Sequence, residues 1–423
     1  MSINMSRLGG GVAVGALLAF GLSATAQAQE TVTTWGGAPR FTNDSLTFKV
    51  RGRVYFDAVF QDVEGSGVGT GVAGVFSGTN TPDYDARNFR NRTARIGVEG
   101  TYSSNWAYKA EATIQNGAAN WEDLSIEYKP DDFTSLMIGN YKTLGLESIT
   151  SSRYNVFMER GAYEGVNDIG RVFNISAKRN GLNWTAAVAL SGGSINSADV
   201  AQGEERLGYN GRVTFAPIDT DHTKLHLGAW ARYRDHGDEA LFAYAARPQT
   251  NFGNNFITTG AVGDKDTTFG LEGALVYKSF SVQAEYSNIN IERIARGDAD
   301  VTAYYAFVSW FPTGEMRRYE ANKGEFNRTR ILNPTTAGGW GAVELAVRYE
   351  NTDLGDAFVP TPVAAATTTP RAGDMESWTV GANWYPIPYV RFMANYTTAE
   401  IDNRLVGNDS DVDTLQFRAQ FDF

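Results

Sequence analysis

Cysteine is absent from the 423-residue chain, which excludes disulfide cross-links and thiolate metal sites. Histidine occurs three times, at His222, His226 and His236, with no carboxylate pair at ligand spacing, so no metal centre is expected. The one long apolar run, residues 8–22, falls short of the roughly 20 residues a spanning helix needs, and nothing later approaches that length. Excess positive charge is also missing. A net charge of −11 and a pI near 4.9 argue against nucleic acid as a partner. There is no Gly-x-Ser-x-Gly elbow, and the Gly-rich stretch 65–74 has no Lys-Ser/Thr after it to cradle a phosphate. No enzyme chemistry and no cofactor are predicted.

What is present begins at the N-terminus. Residues 1–7 carry one positive side chain, 8–22 are apolar and Gly-rich, and Ala26-Gln27-Ala28 supplies a small-x-small cleavage pattern. This order reads as a secretory signal peptide over residues 1–28, leaving residues 29–423 as one domain. At the other end, Leu415-Gln416-Phe417-Arg418-Ala419-Gln420-Phe421-Asp422-Phe423 alternates apolar and polar without a break. Successive strand side chains point to opposite faces. A fully alternating last strand suits a barrel, where it pairs with the first strand and leaves no open edge in lipid.

Period-two runs bounded by turn signals fall at residues 46–60, 88–100, 106–115, 121–129, 134–140, 171–179, 182–190 and 206–216. They continue at 223–234, 268–278, 280–291, 301–311, 341–350, 376–385, 389–400 and 412–423, though 134–140 and 301–311 alternate poorly. These define an all-β fold: a transmembrane antiparallel β-barrel of about 16 strands. Long links near 61–87, 141–170, 191–205, 235–267, 351–375 and 401–411 all follow odd strands. Short ones near 101–105, 130–133, 180–181, 217–222, 279 and 386–388 follow even strands. Barrels show this parity because periplasmic turns are short and outer loops long. One link breaks it: 312–340 is long and periplasmic. Aromatic residues at 13% and 45 glycines fit such a fold, and Trp35, Trp106, Trp121, Trp340, Trp378 and Trp384 fall near strand ends, where aromatic belts sit.

If the apolar face meets lipid, the other face is the lumen. It receives Arg51, Arg53, Tyr55 and Asp57 from the first strand, then Arg95 and Glu99, Lys109 and Glu111, and Arg212. Later strands add Arg232, Arg234, Glu344, Arg348, Arg391 and Arg418, with His226 as an ordinary wet-face residue. Two readings stay open on these residues alone. One is a generic wet interior of cross-strand ion pairs. The other is an arginine track that concentrates anions and passes them along, since the guanidinium fork grips oxyanions and stays charged. Much of the acidic excess falls in predicted outer loops, at Asp62/Glu64, Asp83/Asp85, Glu204/Glu205, Asp264/Asp266 and Asp409/Asp411. There it suits divalent-cation bridges to lipopolysaccharide, or solubility.

Three blocks sharpen this reading. Residues 309–319 (SWFPTGEMRRY) with 323–328 (KGEFNR), residues 341–349 (GAVELAVRY) with Asp353-Leu354, and residues 138–142 (IGNYK) with Leu146-Glu147, 150–152 and 157–160 (FMER) are specific blocks that lie in the expected order along the chain. Together they resemble the phosphate-selective porin O/P family. The resemblance implies a homotrimeric sixteen-stranded barrel in the outer membrane, passing phosphate or related small anions. Its pore would be narrowed by an in-folded constriction loop, matching 141–170, and an in-folded periplasmic turn, matching 312–340. The resemblance further implies that Lys142, Arg153, Arg160, Arg317, Arg318, Arg328 and Arg330 lie nearest the narrowing. The competing role for each is a salt bridge anchoring the folded-in segment, with Glu147, Glu159, Glu315 and Glu325 as nearby partners. The chain also departs from the family: 141–170 holds Lys142, Arg153 and Arg160 against Glu147, Glu159, Glu164 and Asp168, not clustered lysines. The expected function is passive, anion-preferring diffusion; a weakly selective small-solute porin and a non-conducting structural or surface-recognition barrel are the alternatives.

Overall fold

The computed structural model describes residues 38, 40–65, 84–115, 117–197, 203–253, 255–293, 297–357, 373–403 and 410–423. The signal-peptide segment, Trp35, Asp83, Asp409 and most of the Gly-rich stretch lie outside them. The strands in chain order are β1 (Arg40–Thr42), β2 (Leu46–Gly65), β3 (Tyr84–Tyr102), β4 (Trp106–Gln115), β5 (Ala118–Tyr128), β6 (Thr134–Tyr141), β7 (Val172–Asn180), β8 (Trp184–Ser191), β9 (Leu207–Asp219) and β10 (Thr223–Asp235). They continue as β11 (Phe242–Ala246), β12 (Ile257–Tyr277), β13 (Phe280–Arg293), β14 (Ala299–Trp310), β15 (Arg318–Glu320), β16 (Glu325–Asn327), β17 (Ala342–Asp353), β18 (Gly373–Ile387), β19 (Val390–Asn403) and β20 (Ser410–Asp422).

Among the described residues, sixteen of these form one closed antiparallel barrel, each paired with its neighbour in sequence and β20 returning to β2. The short β1 and β11 pair onto the ends of β2 and β12, and β15–β16 form a separate hairpin. All sixteen predicted strands are there, with the expected parity of short and long connections. Several extend further outward than the sequence suggests: β12 starts at Ile257, not near 268. At the seam Arg53 pairs with Asp422 and Gly65 with Ser410, and Phe423 exchanges backbone hydrogen bonds of 3.0 Å with Gly52. A Cβ on Gly52 would sit 2.5 Å from the Phe423 ring, so the last residue packs where only glycine leaves room.

The outward face is apolar and exposed, with Phe56, Phe89, Val188, Val213, Val308, Trp378 and Val380 meeting the hydrocarbon. The inner face is not uniformly wet. On β13 and β14, Ile289, Ile291, Val301, Ala303, Tyr305 and Phe307 are buried with Phe157, Tyr163 and Val166 from the 142–171 loop. This explains why 301–311 alternates poorly in sequence: both of its faces are apolar, one against lipid and one against the folded-in loop. Two helices shape that loop, α1 (Leu146–Ile149) and α2 (Gly161–Asn167).

Two expectations need correction. Asp266 is not an outer-loop acid; it is buried on β12 and accepts from Arg234 at 2.5 Å and from the Tyr244 hydroxyl at 2.7 Å. His226 is not a wet-face residue. The in-folded turn covers it, and its ring nitrogens meet the Tyr319 hydroxyl at 2.6 Å and Glu272 at 3.1 Å.

Candidate functional site

A cavity of about 490 Å³ opens in the lumen between β2–β6 and Arg418 of β20, the constriction loop and the tip of the β15–β16 hairpin. Ten basic and four acidic side chains line it. From the wall come Arg51, Arg53, Arg92, Arg95, Lys109 and Arg418; from the folded-in segments and their ends come Lys142, Arg160, Arg171 and Lys323.

Two local irregularities concentrate charge here. Between Tyr55 and Phe56 the register of β2 against β3 shifts, so Tyr55 pairs with Thr93 and Phe56 with Asn91. Arg92 is the extra residue of this β-bulge. A bulge switches the phase of the side chains after it, so Arg90 and Arg92 face inward before it and Arg95 and Glu99 after it. A second shift, between Ala110 and Ala112 against β5, brings Glu122 and Asp123 inward together. Arg171 then bridges both, at 2.8 Å and 2.6 Å.

Glu111, fully buried, is the centre of the wall side. Its carboxylate accepts from Arg53 Nη2 at 3.1 Å and Arg95 Nη1 at 3.1 Å, and Arg51 Nε forms an ion pair with it at 2.9 Å. Three guanidiniums sharing one carboxylate leave local positive charge, which Glu99 on Arg51 and Glu122 on Arg95 (2.6 Å) offset in part. Arg418 is held bidentately by Asp57 (2.7 Å twice) and by Glu159 (2.6 Å), and Arg92 donates to both oxygens of Glu159 at 2.8 and 2.9 Å. Burial alone would raise the Glu159 carboxyl; Arg92 and Arg418 outweigh it and hold it down to about 2.

Across the cavity, Lys142 pairs with Glu164, whose other carboxylate oxygen forms an ion pair with Arg160 at 3.0 Å. Burial and the neighbouring Arg160 charge bring the Lys142 ammonium down to about 8, against the pull of Glu164. Arg160 also donates to the carbonyls of Glu147 (3.0 Å) and Thr150 (2.8 Å), tying both ends of the loop tip together. Burial pushes the Glu325 carboxyl up, weakening the one acid that the hairpin places on the cavity wall.

The loop is held from below by carboxylates of the barrel wall. Glu285 accepts from the backbone N–H groups of Leu146 (2.9 Å) and Glu147 (2.7 Å), at the start of α1, and from the Tyr305 hydroxyl (2.5 Å). Glu350 accepts from the N–H of Tyr163 at 2.6 Å. Gly161, at φ +61°, is where a Cβ would strike Glu350 at 2.2 Å, so glycine lets the chain approach its anchor. A hydrogen bond to a charged group, such as that from Tyr163 to Glu350, contributes about 1.5–3 kcal/mol. A further outer segment folds in unannounced by the sequence: Gln249 is buried, donates to Glu350 at 3.0 Å and accepts from Gln416 at 3.0 Å.

The residues singled out from sequence therefore separate by position. Lys142, Arg160, Arg51, Arg53, Arg95 and Arg418 come together on the cavity wall. Arg153 lies behind it, reaching the Gly52 carbonyl at 3.4 Å. Arg348 (to Glu147, 2.7 Å) and Arg391 (to the Asn155 carbonyl, 2.6 Å) anchor the loop from beneath. Arg317 stacks over Phe326 at 3.8 Å, Arg328 pairs with Asp422, and Arg212 binds Glu272 at 2.6 Å, all supporting the in-folded turn. Arg232 meets Thr268 and the Asp168 carbonyl beside a small side pocket. Arg318 pairs with Glu320 at 2.7 Å, and Arg318 and Arg330 are exposed. The nearby partners expected for Arg160, Arg318 and Arg328 give way to Glu164, Glu320 and Asp422. Arg92 and Arg171 were missed: the β2–β3 bulge brings Arg92 in, and Arg171, just ahead of β7, meets the two acids that the β4–β5 bulge turns inward.

A closed sixteen-stranded barrel with a lipid-facing apolar wall, a folded-in loop and a basic lumen defines an outer-membrane porin. Residues 68–423 match the family described as phosphate-selective porin O and P, and the chain belongs to it. Porin O of Pseudomonas aeruginosa is 29% identical over 446 residues, covering 97% of this chain and 97% of its own. Among solved structures, the outer membrane channel DcaP of Acinetobacter baumannii superposes with a TM-score of 0.53 at 12% identity, over 90% of this chain and 99% of its own. The anion-selective porin from Comamonas acidovorans does so with a TM-score of 0.51 at 12% identity, over 89% and 100%.

Proposed function

We propose that this porin of the bacterial outer membrane passes small anions, phosphate or related oxyanions among them, by passive diffusion through the cavity between Glu111 and Lys142. The observation that carries this is the ten-to-four excess of basic over acidic side chains on the cavity wall. Such an excess in a narrow, low-dielectric passage raises the local concentration of anions. Guanidinium and ammonium donors replace part of an anion's hydration, and conduction needs binding weak enough to release it. Lys142, Arg160, Arg51, Arg53, Arg95 and Arg418 are assigned to that passage. Arg153, Arg317, Arg328 and the remaining lumen arginines hold its walls, and Arg318 and Arg330 flank its periplasmic end. No catalytic step and no cofactor enter this account.

One observation favours a weaker selectivity. Each basic side chain on the cavity wall is already paired with a carboxylate, so an arriving oxyanion competes with protein acids for every donor. Broad anion preference is then expected over tight phosphate binding. Residues 1–28 are assigned to a cleaved signal peptide, the working unit to a homotrimer as the family resemblance implies, and Asp62, Glu64, Glu204 and Glu205 to outer-surface contacts with lipopolysaccharide.

The test is the reversal potential of the purified protein in a planar bilayer under a salt gradient, followed by phosphate titration of the chloride current. Anion preference is expected, with shallow phosphate block. Cation preference would overturn the assignment, and absence of conductance would return the barrel to a structural role.

A further inference from the structure

Two features of the cavity go unused by a bare inorganic anion. The first is an acid without a partner. Glu325, half-buried at the start of β16, lines the cavity, and among the described residues its carboxylate makes neither a hydrogen bond nor an ion pair. Lys323 and Lys178 act on it electrostatically, but Lys323 is paired with Glu320 at 2.6 Å and Lys178 donates to the Lys323 carbonyl at 3.1 Å. The other acids of the wall, Glu99, Asp123 and Glu159, each hold an arginine or a lysine. An uncompensated carboxylate beside an anion path repels what passes, so its presence there calls for another use.

The second is a neutral strip on the constriction loop. The Tyr154 N–H donates to the Ser151 carbonyl at 2.8 Å, closing a tight turn. Within it Arg153 reaches back to the Gly52 carbonyl, which leaves Ser151, Ser152 and Tyr154 on the cavity. Ser152 accepts from Arg53 at 2.7 Å, whereas the Ser151 and Tyr154 hydroxyls have no hydrogen-bond partner among the described residues. Half-buried Ile149 and Met137 add apolar surface to the same cavity.

Chloride can only accept hydrogen bonds, and a phosphate dianion has a single hydroxyl to give. Neither makes use of Glu325 together with the loop hydroxyls. An alcohol both donates and accepts, and the carbon that bears it is apolar enough to lie on Ile149 or Met137. Size agrees: the cavity of about 490 Å³ falls within the roughly 300–1,000 Å³ of sites that enclose small organic molecules. Resting on the reading of this cavity as an anion pore, we propose that its preferred substrates are hydroxylated organic anions, a short chain or ring of alcohols that ends in a phosphate or carboxylate. The charged end sits among Arg51, Arg53 and Arg95. The alcohols donate to Glu325 and exchange hydrogen bonds with Ser151 and Tyr154.

The test is block of the chloride current through the purified protein in a planar bilayer at constant pH. Glucose 6-phosphate is compared with inorganic phosphate, and gluconate with acetate, so that each sugar anion is matched to a plain ion with the same charged group. Each sugar anion is expected to half-block at a concentration roughly threefold to tenfold below its match, the worth of about one net hydrogen bond. An advantage in the first pair alone selects the phosphate-ended class, and in the second alone the carboxylate-ended one. Equal or weaker block by both sugar anions overturns the proposal, while an anion-preferring reversal potential in potassium chloride shows that the pore reading stands without it; cation preference overturns both. Glu325→Gln separates hydrogen bonding from plain electrostatics. Losing the negative charge should tighten block by inorganic phosphate, while the advantage of glucose 6-phosphate over phosphate shrinks towards one. If both blocks tighten alike and the advantage persists, Glu325 is no acceptor for an alcohol and the proposal fails.

Discussion

At Glu111 three arginines share one counter-charge, and the two consequences of removing it have opposite signs. Glu111→Gln leaves Arg51, Arg53 and Arg95 facing one another, which costs stability on the order of 3–5 kcal/mol and lowers the temperature at which the folded band is lost on electrophoresis. The same change makes the lumen more positive, so the reversal potential shifts further towards anions. Lys142 gives a pH signature. Its charge is present below about pH 8 and lost above it, so anion preference should decline as pH rises through that value. Lys142→Arg should abolish the decline, and reversal potentials from pH 6 to 10 would show both. Arg90 and Arg92 illustrate why the sequence under-reported such residues. Even-numbered arginines look lipid-facing if the alternation of Arg95 and Glu99 is extended backwards. Only an inserted residue, invisible to periodicity, turns them inward.

Among the elements, the constriction loop has the most at stake. Phe157 is buried edge-on against Phe307 at 5.6 Å and helps fasten the loop to β14. Phe157→Ala should cost about 3–5 kcal/mol of local packing yet leave the lipid-facing wall intact. Single-channel conductance is expected to rise and become noisier while the folded band persists; unchanged conductance would mean the carboxylate anchors Glu285 and Glu350 hold the loop unaided. The loop and the turn also meet: Leu146 packs with Tyr319 and Phe326, and the Phe326 N–H reaches the Thr150 hydroxyl at 3.4 Å. Loosening either should therefore be felt by the other. The loop's location was legible from its length and parity. Its helices were not, since neither α1 nor α2 is long enough to show a helical period.

For the whole molecule, strand number, connection parity and the side on which the turn breaks that parity could all be read from alternation and spacing, because one face of nearly every strand is set by lipid. The inward fold of 247–253 could not be. Gln249 and Asn251 are polar in a polar stretch, and their partners Glu350, Gln416 and Arg90 come from distant strands. The closing seam offers the sharpest global test. Gly52→Val places methyl groups against the Phe423 ring and the Arg95 carbonyl, an overpacking cost on the order of 1–3 kcal/mol. A lower unfolding midpoint in urea is expected; an unchanged one would show that Phe423 adds nothing to closure.

That seam also dictates an order of assembly. Every other neighbouring pair in the barrel is consecutive in the chain and can form as a hairpin while synthesis or delivery is under way. β2 and β20 are separated by nearly the whole chain, so until residues 410–423 arrive the sheet has two unpaired edges. Unpaired backbone cannot stand in hydrocarbon. The strands therefore cannot enter lipid one by one, and crossing the membrane and sealing the wall become a single event timed by the last strand.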